Sequence, residues 1–212
     1  MQIKAVIFDL DGTIVDTGED IVYALNILLS KHNRPLTSLK DLAPIIPQGT
    51  IFMIKHTFGD TNNINELMRE LQVIREANLI RHASVYPGMS DTINKLHEDN
   101  YKLAIVSNNY NQRIAKILTH MKLNQYFPVI VGQDDLGILK PNPAPILHAC
   151  NKLNVAPEEC IYVGDSIVDQ QTAINSNMPF ILAAYGDGKN TNITTEFVAN
   201  YSYDIHKIVT YM

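Results

Sequence analysis

Ile7-Phe8-Asp9-Leu10-Asp11-Gly12-Thr13 is the stretch on which the reading of this chain turns. It places two carboxylates two residues apart at the end of a short apolar run, Ile3, Ala5, Val6, Ile7 and Phe8, which Gly12 ends. Such a run suits an interior strand of a parallel sheet, covered on both faces. Burying one unpaired carboxylate there is costly, and burying two is worse. A divalent cation offsets that cost, and hard cations such as Mg²⁺ take carboxylate oxygen. A carboxylate so placed can also be a nucleophile, as in aspartyl-phosphate chemistry. The plainer alternative is a strand-ending turn at Asp11-Gly12, with Asp9 capping a neighbouring helix.

Downstream of the pair the pattern changes to helices. Thr17 and Asp20 read as a capping box, opening a helix with Ile21, Leu25, Leu28 and Leu29 that ends before Pro35. A second helical piece follows Thr37 and Ser38 and is broken by Pro44 and Pro47. A third starts around Gly49 with Ile51, Ile54 and Phe58. A long one is expected from about Ile64 to Ala83, with Leu67, Leu71, Ile74, Ala77 and Ile80 at helical spacing. Residues 17–86 therefore read as an all-helical block with no strand.

From Tyr86-Pro87-Gly88 onward helices alternate with apolar strands. The strands are Leu103–Val106, Val129–Val131, Ile161–Val163 and Phe180–Ala183, with helices at about 92–99, 113–121, 144–153 and 168–175. This alternation predicts an α/β fold, a doubly wound parallel-sheet core with an inserted all-helical cap subdomain. The expected division is 1–16 and 87–212 for the core and 17–86 for the insert.

In such sheets ligands bind beyond the carboxyl ends of the strands, so the residues there carry the functional argument. The first strand ends in Asp9 and Asp11. The second ends in Ser107-Asn108-Asn109, where a serine hydroxyl and an asparagine amide can hold a phosphate oxygen or simply cap a helix. Beyond the third, after a loop with Asp134 and Asp135, stands Lys140-Pro141. Lysine is a point charge suited to a phosphate or to balancing carboxylates, and is also common on surfaces. The fourth leads into Gly164-Asp165-Ser166 and on to Asp169. Gly164 allows close backbone approach, and Asp165 could be merely an N-cap. Four strand ends carrying such groups in turn form one convergent site.

Composition sets outer bounds. With 212 residues and a 46% apolar fraction the chain can bury a sizeable core. A net charge of −5 and a pI near 5.8 provide no basic stripe for nucleic acid. No apolar run reaches membrane-spanning length, and no signal-peptide pattern precedes the first strand, so a cytoplasmic protein without a membrane partner is expected. Cys150 and Cys160 are expected to be small buried apolar residues in a reduced compartment. None of the seven histidines falls in a metal-ligand spacing.

The four motifs, Asp9-Leu10-Asp11-Gly12-Thr13, Ser107-Asn108, Lys140-Pro141 and Gly164-Asp165-Ser166 with Asp169, resemble those of the haloacid-dehalogenase-like hydrolase superfamily. The resemblance extends over nearly the whole chain. It is strongest to the helical-cap phosphatases of the phosphoglycolate phosphatase and beta-phosphoglucomutase branch, whose core is Rossmann-like. It implies a Mg²⁺-dependent phosphatase acting on a small phosphorylated metabolite, phosphoglycolate-like or a sugar phosphate. Asp9 would be the nucleophile and Asp11 the general acid and base. The metal would be held by Asp9, the backbone carbonyl of Asp11, and Asp165, with Asp169, Gly164 and Thr13 supporting. Ser107, Asn108 and Lys140 would hold the phosphoryl oxygens.

Gly49 resembles the glycine of a substrate-specificity loop, which makes Gln48, Gly49 and Thr50 the candidates for the leaving group; Lys55 reads as a helix-surface residue. The sequence departs from the family pattern at Asn142, where a small residue is more usual, and after Asp169. Phosphosugar mutases of the same branch tend to carry an acidic residue where this chain has Gly164. A non-catalytic phospho-ligand-binding relative would usually have lost one of the carboxylates present here.

Overall fold

The computed structural model describes residues 2–78, 80–186 and 193–212. β1 (Ala5–Phe8) is followed by the short β2 (Val15–Asp16) and by helices α1 (Gly18–Lys31), α2 (Leu39–Leu42), α3 (Thr50–Phe58) and α4 (Ile64–Ala77). Then come β3 (Ser84–Val85), α5 (Met89–Glu98), β4 (Lys102–Val106), α6 (Asn111–His120) and β5 (Val129–Val131). The chain continues through α7 (Gln133–Leu136), α8 (Ala144–Leu153), β6 (Cys160–Gly164) and α9 (Ile167–Asn175). It ends with β7 (Phe180–Ala183), β8 (Phe197–Ala199) and α10 (Ser202–Tyr211).

Six strands form one sheet in the order β5-β4-β1-β6-β7-β8, and every pairing in it is parallel. Ala5, Val6, Ile7 and Phe8 have no exposed surface. That is the burial their unbroken apolar run requires, with helices over both faces of the sheet. The chain winds outward from β1 in two directions, through β4 and β5 and then through β6, β7 and β8. Such a reversal opens a crevice at the carboxyl ends of β1, β4 and β6. The core beneath it includes Ile7, Val106, Ala149, Cys150, Cys160 and Tyr162.

The chain divides into two compact units, Met1–Asp16 with Ser84–Met212, and Thr17–Ala83. The second unit packs α1–α4 around Leu25, Leu28, Leu42, Ile54, Leu67 and Leu71. Three sequence expectations change here. The helical block stops at Ala83, because Ser84–Val85 pairs antiparallel with Val15–Asp16. α4 ends at Ala77, where the Asn78 backbone N–H (3.1 Å) and side-chain amide (2.9 Å) both donate to the Ile74 carbonyl. Ile80, at φ 67°, continues the apolar spacing of that helix but not its backbone.

Thr17 and Asp20 form no capping box, since the Thr17 side chain makes no cap bond. The buried Asp20 carboxylate instead accepts the backbone N–H groups of Arg81 at 3.2 Å, His82 at 2.7 Å and Ala83 at 3.2 Å. Asp20 thus ties the last residues of the helical unit to its first helix. Asp20→Ala leaves these donors without their charged acceptor and is expected to destabilise that unit by about 3 kcal/mol. Chemical denaturation, together with faster amide exchange at 81–83, checks this; an unchanged midpoint would contradict it.

Among the described residues no helix is long and apolar enough to cross a membrane.

Candidate active site

Asp9 extends β1 by one residue, its N–H donating to the Val163 carbonyl at 2.9 Å. The chain then turns sharply. The Leu10 carbonyl accepts from Ile14 at 2.9 Å and Val15 at 3.0 Å, and Gly12 adopts φ 78°. A side chain on Gly12 would also collide with Asp165, its Cβ only 2.4 Å from Oδ2. Glycine is therefore required twice over at this turn. Thr13 donates its hydroxyl to Asp165 Oδ1 at 2.9 Å, and the Tyr185 hydroxyl donates to the Thr13 carbonyl at 2.8 Å. This turn brings the end of β6 against the end of β1.

Lys140 is buried at the centre of the site. Its ammonium contacts Asp9 Oδ1 at 2.8 Å, Asp169 Oδ1 at 2.7 Å and the Tyr162 hydroxyl at 2.9 Å, which occupies all three of its donors. Tyr162 in turn donates to Asp169 Oδ1 at 2.8 Å. The other oxygen of Asp169 accepts from Ser166, through its hydroxyl at 2.5 Å and its N–H at 3.1 Å. Gly164 makes room for this carboxylate, since a Cβ there would lie 2.4 Å from that of Asp169.

These contacts set the charges. Burial pushes the Asp9 carboxyl up to about 7; Lys140 works against that push and Asp169 adds to it. Burial also opposes ionisation of Asp169, but Lys140 and the hydrogen bonds from Lys140, Ser166 and Tyr162 hold it below the ordinary carboxylate range. Burial disfavours the Lys140 charge as well, yet Asp169 and Asp9 raise its pKa above that of an ordinary lysine. Burial and Asp169 push the Tyr162 phenol well up, so it is a neutral donor.

At the end of β4, the Asn108 side chain and the Lys140 backbone exchange two hydrogen bonds. Lys140 N–H donates to Asn108 Oδ1 at 2.8 Å, and Asn108 Nδ2 donates to the Lys140 carbonyl at 3.2 Å. Asn108 therefore fixes the segment that delivers the lysine. The Ser107 hydroxyl accepts the Asn109 N–H at 3.2 Å, and the Asn109 amide donates to Asp11.

A family model of haloacid dehalogenase-like hydrolases matches residues 6–183. The chain belongs to this family. A phosphoglycolate phosphatase of Nitrosospira multiformis is 30% identical over 200 residues, 91% of this chain and 88% of the relative. One of Xanthomonas campestris is 31% identical over 185 residues, 86% of this chain and 84% of the relative. The crystal structure of a predicted phosphoglycolate phosphatase from Haemophilus somnus superposes with a TM-score of 0.86 at 27% identity, covering 98% of each chain. The hydrolase is accordingly a phosphatase, acting on phosphoric monoesters.

Of the residues singled out in the sequence, the structure gathers Asp9, Asp11, Thr13, Ser107, Asn108, Lys140, Gly164, Asp165 and Asp169 at the ends of β1, β4 and β6. Gln48, Gly49 and Thr50 belong to the helical unit. There the Gln48 amide donates to the Pro44 carbonyl at 2.9 Å, and Gly49 caps α3 at φ 97°. Lys55 is exposed on α3. Asp134 and Asp135 lie in α7 rather than a loop. Asp134 accepts the Asn111 N–H at 2.8 Å, and Asp135 accepts the Gly132 N–H at 2.8 Å and the Asn111 amide at 2.7 Å.

The sequence motifs include Asn109 and Ser166 without a role for either, and Tyr162 lies outside them. For Tyr162 a signal existed, because the two-residue period of a strand puts it on the same face as Gly164.

Asp9, Asp165 and Asp169 each bring a carboxylate oxygen within 4.8 Å of the others. The donors are buried hard oxygens, and the upward push on Asp9 marks a place short of positive charge. Such a set fits a hard divalent cation.

Proposed function

We propose that this hydrolase is a Mg²⁺-dependent phosphatase acting on a small phosphate monoester, phosphoglycolate or a sugar phosphate, through an aspartyl-phosphate on Asp9. The observation that carries the reading is the position of Asp9. Its carboxylate lies 2.8 Å from the Lys140 ammonium and within 4.8 Å of the Asp165 and Asp169 oxygens, at the crevice of the sheet.

Asp9, Asp165 and the backbone carbonyl of Asp11 would hold the metal. Both Asp169 oxygens are engaged by Lys140, Tyr162 and Ser166, which supports an orienting role. When bound, Mg²⁺ supplies positive charge beside the transferring phosphoryl group.

Asp9 attacks phosphorus, forming its acyl–phosphate bond as the ester oxygen departs. Asp11, oriented by the Asn109 amide, gives that oxygen a proton and later takes one from the water that cleaves the intermediate. Inorganic phosphate leaves and Asp9 is restored. Ser107 and Asn108 hold the phosphoryl oxygens, and Lys140, whose donors are engaged by Asp9, Asp169 and Tyr162, contributes its positive charge beside them, an electrostatic and positioning task. Gln48, Gly49 and Thr50 of the helical cap are assigned to choice of the leaving group. The cytoplasm is the setting that goes with such a metabolite substrate.

A mutase reading is disfavoured because any side chain at position 164 would overlap Asp169. The test is hydrolysis of phosphoglycolate, sugar phosphates and p-nitrophenyl phosphate with Mg²⁺ and with EDTA. Chelation is expected to abolish phosphate release and added Mg²⁺ to restore it. Full activity in EDTA would refute the metal dependence.

A further inference from the structure

Cys150, in the last turn of α8, and Cys160, the first residue of β6, are ten residues apart in sequence. Their side chains are 1% and 0% exposed, and their sulfurs lie 3.7 Å apart, at van der Waals contact. Both belong to the core cluster under the sheet. They stand at the start of β6, the opposite end from Asp165, and take no part in the chemistry above. The sequence expectation of two small apolar side chains accounts for their burial but not for their mutual contact.

We propose that Cys150 and Cys160 are a redox modification site, forming a reversible intramolecular disulfide that clasps the start of β6 to the end of α8. Three features favour it. A disulfide needs the sulfurs about 2 Å apart, so small side-chain rotations nearly suffice. The joining segment 154–159 is exposed or half-buried along its length, so a local opening there would admit a small oxidant to the pair. The Cys160 thiol beside Cys150 holds the latter below the ordinary cysteine range, which favours the thiolate that starts the reaction.

With a peroxide as oxidant the steps balance. The Cys150 thiolate attacks a peroxide oxygen, the O–O bond breaks, and Cys150 becomes a sulfenic acid as one water leaves. The Cys160 sulfur then attacks Cys150 sulfur, the S–O bond breaks, and a second water carries off the remaining proton. Two thiols have lost two electrons and two hydrogens, and one hydrogen peroxide has become two waters. A dithiol reductant reverses the change.

The folded protein is treated with hydrogen peroxide, its remaining thiols are blocked under denaturing conditions, and the intact mass is read. The expected product is a monomer lighter by two hydrogens, with both cysteines refractory to alkylation until dithiothreitol is added. Peptide mapping should join Cys150 to Cys160. Closing this short loop is expected to raise the melting temperature by roughly 5 °C, with phosphatase activity retained because the clasp lies away from the crevice. Cys150→Ala and Cys160→Ala should each lose the shift; if either fails to fold, the wild-type masses still decide. Two alkylatable thiols after treatment of folded protein, added oxygen without the cross-link, an intermolecular dimer, or a disulfide that leaves the melting temperature unchanged or lower would each overturn the proposal.

Discussion

Asp9→Asn is expected to lower phosphate-ester turnover by roughly 10⁴-fold or more while leaving the fold at least as stable as before. The two side chains have nearly the same shape, and the amide oxygen can still accept from Lys140. What is lost is the nucleophile, because an amide oxygen does not form the covalent intermediate. The stability expectation follows from burial, which pushes the Asp9 carboxyl up to about 7. The site therefore resists the very charge that catalysis needs, and the substitution relieves that resistance. Initial rates and thermal melts on the same preparations test both halves. Activity within tenfold of wild type would remove Asp9 from the nucleophile's role, and a large drop in melting temperature would refute the account of burial.

The second large effect is structural. Lys140→Met removes the cation held between Asp9 and Asp169, leaving two buried carboxylates facing one another. Breaking a buried pair from one side costs about 3–5 kcal/mol, which in a chain of this size lowers the melting temperature by roughly 10 °C. The sign with pH follows from what the lysine does. It lowers the pKa of both carboxylates, so in the variant both rise above their unfolded values. Groups raised in this way favour the folded state once protonated. The deficit in metal-free variant protein should therefore be largest above about pH 7 and shrink toward pH 5. Adding Asp169→Asn to Lys140→Met should recover part of the loss. A deficit constant over that range would show that lost packing, not charge, is responsible.

The sheet and the residues at its strand ends were legible because their physics is local. A parallel strand buried on both faces is a continuous apolar run, and whatever polar group ends it stands at the crevice. Asp9, Ser107, Asn108 and Asp165 stand at or just past such strand ends, whereas Lys140 follows β5 only after α7. Other features depend on partners distant in sequence and leave no periodic trace. Asp20 has the spacing of a helix cap, yet its carboxylate is satisfied by the backbone of 81–83.

Tyr162, in the middle of an apolar strand, reads as core. Its shared face with Gly164 does not identify its partners, and the fold brings its hydroxyl to Lys140 and Asp169. Ile80 keeps the apolar period of α4 after the helix has ended, so periodicity alone overran the boundary by six residues. Two-residue strands such as β2 and β3 are too short to show any alternation. β8 and α10 lie beyond the last strand that the sequence pattern predicts.

That pair of short strands has a consequence for how such a chain can change. β2 and β3 are antiparallel partners, with Val15 opposite Val85 and Asp16 opposite Ser84. The two ends of the 67-residue segment Thr17–Ala83 are therefore held side by side by a ladder that belongs to the sheet-bearing unit. Anything between them can be lengthened, trimmed or exchanged without altering the register of β1, because the graft point closes on itself. The helical segment is in this sense a cassette, and the strand that carries Asp9 does not depend on which one is installed.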